Sequence, residues 1–143
     1  MAYVSLDSDQ IKKANKKHKY THDQVIHLEK CMDPKSGPLY FMKKFMQIQH
    51  PTKGSIPFEP FPYQERLIES YNEHRFSIAM LPRQTGKTTC ASGFLIWYAM
   101  FKPDSQILIA AHKYAGASDI MSRVRYAYEM LPAWIKAGVT QYN

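Results

Sequence analysis

From Leu39 the chain reads LYFMKKFMQI, and Leu39, Phe41, Met42, Phe45, Met46 and Ile48 recur at the three- and four-residue spacing of one helix side. Before it, the polar stretch from Ser8 to Lys30 predicts two short helices, the second opening at Thr21, a residue suited to cap it. DPKSGP, residues 33–38, is a turn, and QHPTKGSIPFEPFP, residues 49–62, holds too many prolines for anything but an extended connector or edge segment. YQERLIESYNEH then places Leu67, Ile68 and Tyr71 on one helical face. RFSIAML, residues 75–81, is short, apolar and ended by Pro82, which predicts a buried strand. A mostly apolar helix follows in TTCASGFLIWYAMF, then a turn at KPDSQ, a second buried strand at ILIAAH, residues 107–112, and a closing helix stopped before Pro132. Alternation of this kind implies an α/β fold: a parallel sheet with crossover helices over residues 59–143, preceded by a small helical subdomain and its Pro-rich connector over residues 1–58.

With 143 residues, the chain has the size of one ordinary domain. Nineteen Lys and Arg against twelve Asp and Glu leave +7, a balance that favours polyanionic partners without choosing among them. Cys31 and Cys90 stand far apart, so neither a disulfide framework nor a thiolate zinc site is expected, and a reducing cytosol fits best. His18, His22, His27 and Cys31 have a spacing conceivable for zinc, but their Lys-rich flanks argue against it. No signal pattern opens the chain and no apolar run is long enough for a bilayer, so an intracellular soluble protein without a membrane partner is expected.

The stretch LPRQTGKTT, Leu81 to Thr89, carries the candidate chemistry. A phosphate-binding loop asks for Gly, four residues, Gly-Lys and Ser or Thr, between a strand and a helix. Gly86, Lys87 and Thr88 supply the second half, whereas Leu81 occupies the first glycine's place. The expected donors run from Arg83 through Gln84, Thr85 and Gly86 into the helix at Thr89, because backbone N–H groups at a helix entrance meet phosphate with the positive end of the dipole. Lys87 is expected to reach β- and γ-phosphate oxygens, and the Thr88 hydroxyl to ligate Mg²⁺. Upstream, Tyr63 can stack on an adenine ring and Gln64 can bond its edge. Arg83 is placed to stabilise charge on a γ-phosphate, so Arg83 and Lys87 are the catalytic candidates.

These residues carry a family resemblance. YFMKKFMQIQHPTKGSIPFEPFPYQERLI, LPRQTGKTT and ILIAAHKYAGASDIMSRVRYAYEMLPAWIKAGV together resemble the large terminase subunit of tailed phages, the T4-like members above all, and the non-glycine start of the loop is itself a family trait. The resemblance implies a P-loop NTPase fold of the RecA/ASCE type, incomplete here. It also implies an ATPase that uses ATP and Mg²⁺ to drive double-stranded DNA into a procapsid in the host cytoplasm. The implied partners are the portal protein, the small terminase subunit and further copies in a ring. By position, Tyr63 and Gln64 take the adenine, Arg83 the sensing role, Gly86 and Lys87 the phosphates, Thr88 the metal, and residues 111–118 the coupling of nucleotide state to DNA or a neighbour.

The sequence departs from the family pattern in having no apolar strand ending in Asp-Glu and no acidic nuclease cluster. The expectation is therefore an N-terminal fragment without Walker B and nuclease parts, inactive by itself. Two alternatives stand beside it: a superfamily 2 helicase or translocase fragment, and a non-catalytic nucleic-acid binding module using the lysines between Lys12 and Lys19.

Overall fold

The computed structural model describes residues 11–14, 17–50 and 52–140. The elements run α1 (His22–Met32), α2 (Gly37–Phe45), β1 (Gln47–His50), β2 (Gly54–Pro57), α3 (Pro62–Glu73), α4 (Lys87–Phe101) and α5 (Tyr114–Glu129). Local chemistry explains the starts of several. Thr21 Oγ1 accepts the N–H of Gln24 while Gln24 Oε1 accepts that of Thr21, a capping box that satisfies two otherwise unpaired donors of α1. Asp33 then turns the chain into α2. Its Oδ1 accepts from the N–H groups of Lys35 and Ser36 and from the Ser36 hydroxyl, and these bonds hold its carboxyl below the usual range.

Helix α2 stops at Phe45, short of the predicted Ile48, because residues 47–50 turn extended and pair antiparallel with β2, Ile48 opposite Ile56. Gly54, at φ +72°, supplies the left-handed residue of the turn. The first predicted helix, over Ser8–Tyr20, is absent from the part of it that is described: residues 17–20 are irregular, and Lys13 bridges Val139 in parallel. That segment has no apolar side to pack, and its backbone pairs instead with the far end of the chain, Val139 N–H donating to the Lys12 carbonyl at 2.8 Å. The remainder of that predicted helix, including Lys16, lies outside the described residues.

The larger correction concerns the sheet. Neither residues 75–81 nor residues 107–112 form a strand, and the sheet found among the described residues is the two-stranded antiparallel β1–β2 hairpin, not a parallel sheet with crossover helices. Both segments are nonetheless apolar and largely exposed: Ile78 and Met80 are each 93% exposed and Leu108 is 91% exposed, while Leu81 and Ile109 are half-buried. A strand exists through the ladder it shares with a neighbour, and these two segments share none. The structure is thus a mixed helix and strand body whose helices, not a sheet, make the core.

That core gathers on α4, which is apolar round most of its circumference and packs against α2, α3 and α5. Trp97 is wholly buried among Phe41, Met42, Ile68 and Ile96, and its indole Nε1–H donates to the Cys31 carbonyl at 2.7 Å, satisfying the C-terminal end of α1. Gly93 lets α2 come close, since a Cβ there would strike the ends of Met42 and Met46. The buried cluster draws on residues from both sides of position 58.

Trp97→Phe leaves the Cys31 carbonyl without its donor and a gap beside it, and is expected to cost about 2–4 kcal/mol in urea unfolding followed by circular dichroism. Burial pushes the Cys31 thiol up to about 12 and the Cys90 thiol up to about 11, from an ordinary 9.0. The folded state therefore keeps protons that the unfolded chain gives up. Stability is expected to be full below about pH 9 and to erode as pH climbs from there toward 12. Urea midpoints measured across that range check it; a midpoint that stays flat to pH 11 contradicts the buried placement of both thiols.

Candidate functional site: the loop entering α4

The loop between segment 75–80 and α4 bends twice through the left-handed region. Gln84 has φ +62° and Gly86 has φ +73°. Glycine adopts this conformation freely, whereas a glutamine there carries strain of about 1 kcal/mol or more. The strain is local to the one stretch that also holds Gly86, Lys87 and Thr88. Gly86 is the N-cap of α4 and offers no side chain to the helix, and the first turn contains no acidic residue. The first bond into the helix runs from Cys90 N–H to the Gly86 carbonyl at 2.9 Å. The N–H groups of Lys87, Thr88 and Thr89 are therefore the open donors that every helix leaves at its start, here at the positive end of an apolar, well-packed helix.

Lys87 does not extend into solvent. Its ammonium folds back over the loop and donates to the Leu81 carbonyl at 2.9 Å and the Pro82 carbonyl at 3.3 Å. Thr85 Oγ1 donates to the same Pro82 carbonyl at 3.0 Å. The two ends of LPRQTGK are thus stapled across the bend, with a cation at its centre. Arg83 is exposed, and its guanidinium makes no ion pair among the described residues.

Tyr63 and Gln64 come to the loop, as their predicted role requires, but engage its backbone. Tyr63 OH and Gln64 Nε2 both donate to the Thr85 carbonyl at 3.0 Å. Gln64 is buried, and its Oε1 accepts the Phe61 N–H at 2.9 Å, closing the start of α3. Both ends of its amide are in use. The Tyr63 ring lies parallel to the exposed Phe61 ring, 5.8 Å between centroids. Sequence reasoning missed this arrangement, although glutamine three residues after a helix N-cap is a recognised capping signal.

Two further features lie near α4. Ser92 is buried and its hydroxyl has no hydrogen-bond partner among the described residues; it borders a cleft of about 260 Å³ with Thr89, Gln49, Ser122 and Arg123. An apolar groove of about 460 Å³ runs beside Leu95, Ile96, Met100, Ile107 and Val124. Residues 111–113, read as the start of a coupling segment, form the exposed entry to α5, and Tyr114 at its first turn is 88% exposed. His27, weighed as a metal ligand, bonds Tyr40 OH through Nδ1 at 2.6 Å and Cys31 is buried in the core.

The loop and helix together define a chain with a strained, cation-centred turn feeding an uncapped helix N-terminus. Residues 78–141 match the family model described as terminase large subunit, T4likevirus-type, N-terminal, so the resemblance read from the sequence holds across this loop, α4 and α5. No helix among the described residues is long and apolar enough to cross a membrane.

The tie between loop and α3 has a measurable consequence. A Cβ at Gly86 would lie 2.6 Å from Gln64 Nε2, and that amide cannot yield without breaking its bonds to Thr85 and Phe61. At Gly54, equally left-handed, a Cβ meets nothing within 4 Å. Gly54→Ala is expected to cost about 1 kcal/mol from backbone strain alone, and Gly86→Ala about 1 kcal/mol more, as read from urea midpoints. Equal costs at the two sites would show that Gln64 is not pinned.

Proposed function

We propose that this chain carries the nucleotide-holding part of a phage DNA-packaging motor, in which ATP is bound as its Mg²⁺ complex at Leu81–Thr89 and its hydrolysis drives double-stranded DNA into a procapsid. The observation that carries the reading is the coincidence of the family match with a loop whose open N–H groups and single ammonium converge at the start of α4. An anion there finds the donors of Lys87, Thr88 and Thr89 without displacing any side-chain cap.

In this reading the backbone from Gln84 to Thr89 holds the phosphates, Lys87 transfers its ammonium from the Leu81 and Pro82 carbonyls to phosphate oxygens, and exposed Arg83 approaches the terminal phosphate. Both sites of the exchange lie within reach of one side chain, because Lys87 begins the helix whose donors it supplements. The residues fit a hard cation held mostly by its substrate: Thr88 offers a hydroxyl, and no group of three or more His, Cys, Asp or Glu gathers among the described residues. Mg²⁺, when bound, neutralises phosphate charge there. Adenine recognition by Tyr63 is confined to its ring face, since its hydroxyl is committed to Thr85. DNA, the portal protein, the small terminase subunit and a homo-oligomeric ring in the host cytoplasm complete the proposal, on the strength of the family match alone. The 143 residues are proposed to bind nucleotide without turning it over, as no Asp-Glu pair stands in the sequence to supply a carboxylate base.

Lys87→Ala tests the proposal. Binding of a fluorescent ATP analogue with Mg²⁺ is expected to weaken at least about 30-fold, the size of a lost charge-assisted contact to phosphate in a partly dry site. An affinity equal to that of the unaltered chain would remove the phosphate reading and favour a module that binds nucleic acid through other residues.

A further inference from the structure

We infer that Tyr63 and Gln64 are positioning residues for the phosphate loop, holding its backbone in the anion-accepting shape whichever base the nucleotide carries. The inference rests on the phosphate reading above and adds a role the sequence assigned to base recognition. Its basis is a count of what holds the bend. On the downstream side the loop is fixed by α4, whose Cys90, Ile96 and Trp97 are locked in the core. On the upstream side it continues through Leu81, half-buried against the core, into residues 75–80, which are exposed, form no backbone ladder and are tied to α3 by the Ser77 hydroxyl donating to the Ser70 carbonyl at 3.0 Å. Between them the bend is held by three sets of bonds: Lys87 to the Leu81 and Pro82 carbonyls, Thr85 Oγ1 to Pro82, and the paired donors Tyr63 OH and Gln64 Nε2 to the Thr85 carbonyl.

The first set is the one a phosphate takes away. An anion that captures the Lys87 ammonium removes the strongest staple from the bend at the moment the bend must keep its shape. What then remains from outside the loop is the pair of donors on Thr85, the residue between left-handed Gln84 and left-handed Gly86. Gln64 suits the task because it is itself immobile. It is buried, its Oε1 is anchored on the Phe61 N–H, and Gly86 packs directly against its Nε2. Its amide is buried and bound to backbone at both ends, its oxygen on the Phe61 N–H and its nitrogen on the Thr85 carbonyl.

Two conservative variants separate positioning from base reading. Tyr63→Phe keeps the ring for stacking and loses only the donor to Thr85. Gln64→Glu keeps an acceptor for the Phe61 N–H and sets an oxygen against the Thr85 carbonyl. The 143-residue chain and each variant are titrated, with Mg²⁺ present, with ATP, GTP and inorganic triphosphate in competition against a fluorescent nucleotide, alongside urea midpoints. Tyr63→Phe is expected to weaken all three ligands by the same three- to tenfold, and Gln64→Glu by tenfold or more, again equally. The urea midpoint of Tyr63→Phe is expected to stay near that of the parent chain, because Lys87 still staples the empty loop; this separates positioning from general loss of fold. Tyr63→Phe binding all three ligands as the parent does, or Gln64→Glu losing ATP while retaining inorganic triphosphate, overturns the inference and returns Gln64 to base recognition. A parent chain that binds neither ATP nor triphosphate removes the phosphate reading itself and this inference with it.

Discussion

The rest of the site depends on one constraint: the chain must leave an exposed extended segment, reverse through Gln84 to Gly86, and enter α4 with its first N–H groups open. A helix start in water is ordinarily closed by a Ser, Thr, Asp or Asn side chain. Here the N-cap is Gly86, which closes nothing and whose left-handed backbone aims the preceding residues back across the helix end. Such a start is tolerable because α4 does not rely on its cap. Its apolar body is held by Trp97, Ile96 and Cys90 in the shared core, so the helix remains formed with its donors unsatisfied. Packing along the body of α4 is what allows its first N–H groups to stay open.

How much of this was legible depended on whether the signal was local. The Thr21 cap, the prolines of 49–62, the apolar face of Leu67, Ile68 and Tyr71, and the apolar run of α4 are each decided within a few residues, and the elements there formed as read. The strands at 75–81 and 107–112 are different in kind. RFSIAML and ILIAAH state an apolar preference, but a ladder needs a neighbour that no local pattern supplies, and among the described residues none is present. The end of α2 failed for a related reason. The helical spacing carries through Met46 and Ile48, yet Gln47–His50 found a partner in Gly54–Pro57, and cross-strand pairing outweighed a weak helical preference.

Gly-Lys-Thr and the helix after it marked the loop in the sequence, while the strand expected before it and the geometry of its neighbours are not as the letters implied. Tyr63 and Gln64 were drawn to the loop by sequence distance, and the structure does bring them there. What the letters could not convey is that a buried glutamine with one amide end on its own helix start has little freedom to serve a ligand with the other. Hydrogen-bond satisfaction settles such cases: a group 6% exposed is engaged by the protein first.

The lysine links these features into one device. Its ammonium lies across the Leu81 and Pro82 carbonyls, and so spans the junction between the exposed segment 75–80 and the bend. In the proposed function, a phosphate group would compete with these carbonyls for the ammonium. Whatever wins the ammonium changes how tightly Leu81 is tied to the start of α4, and Leu81 is the residue through which segment 75–80 joins the loop. In the proposed nucleotide-bound state, occupancy at the phosphate position would be coupled, through one side chain and two carbonyls, to an apolar segment whose Ile78 and Met80 stand almost fully in water. The coupling requires no distant pathway, because the two ends of the device are adjacent in the chain and share a donor.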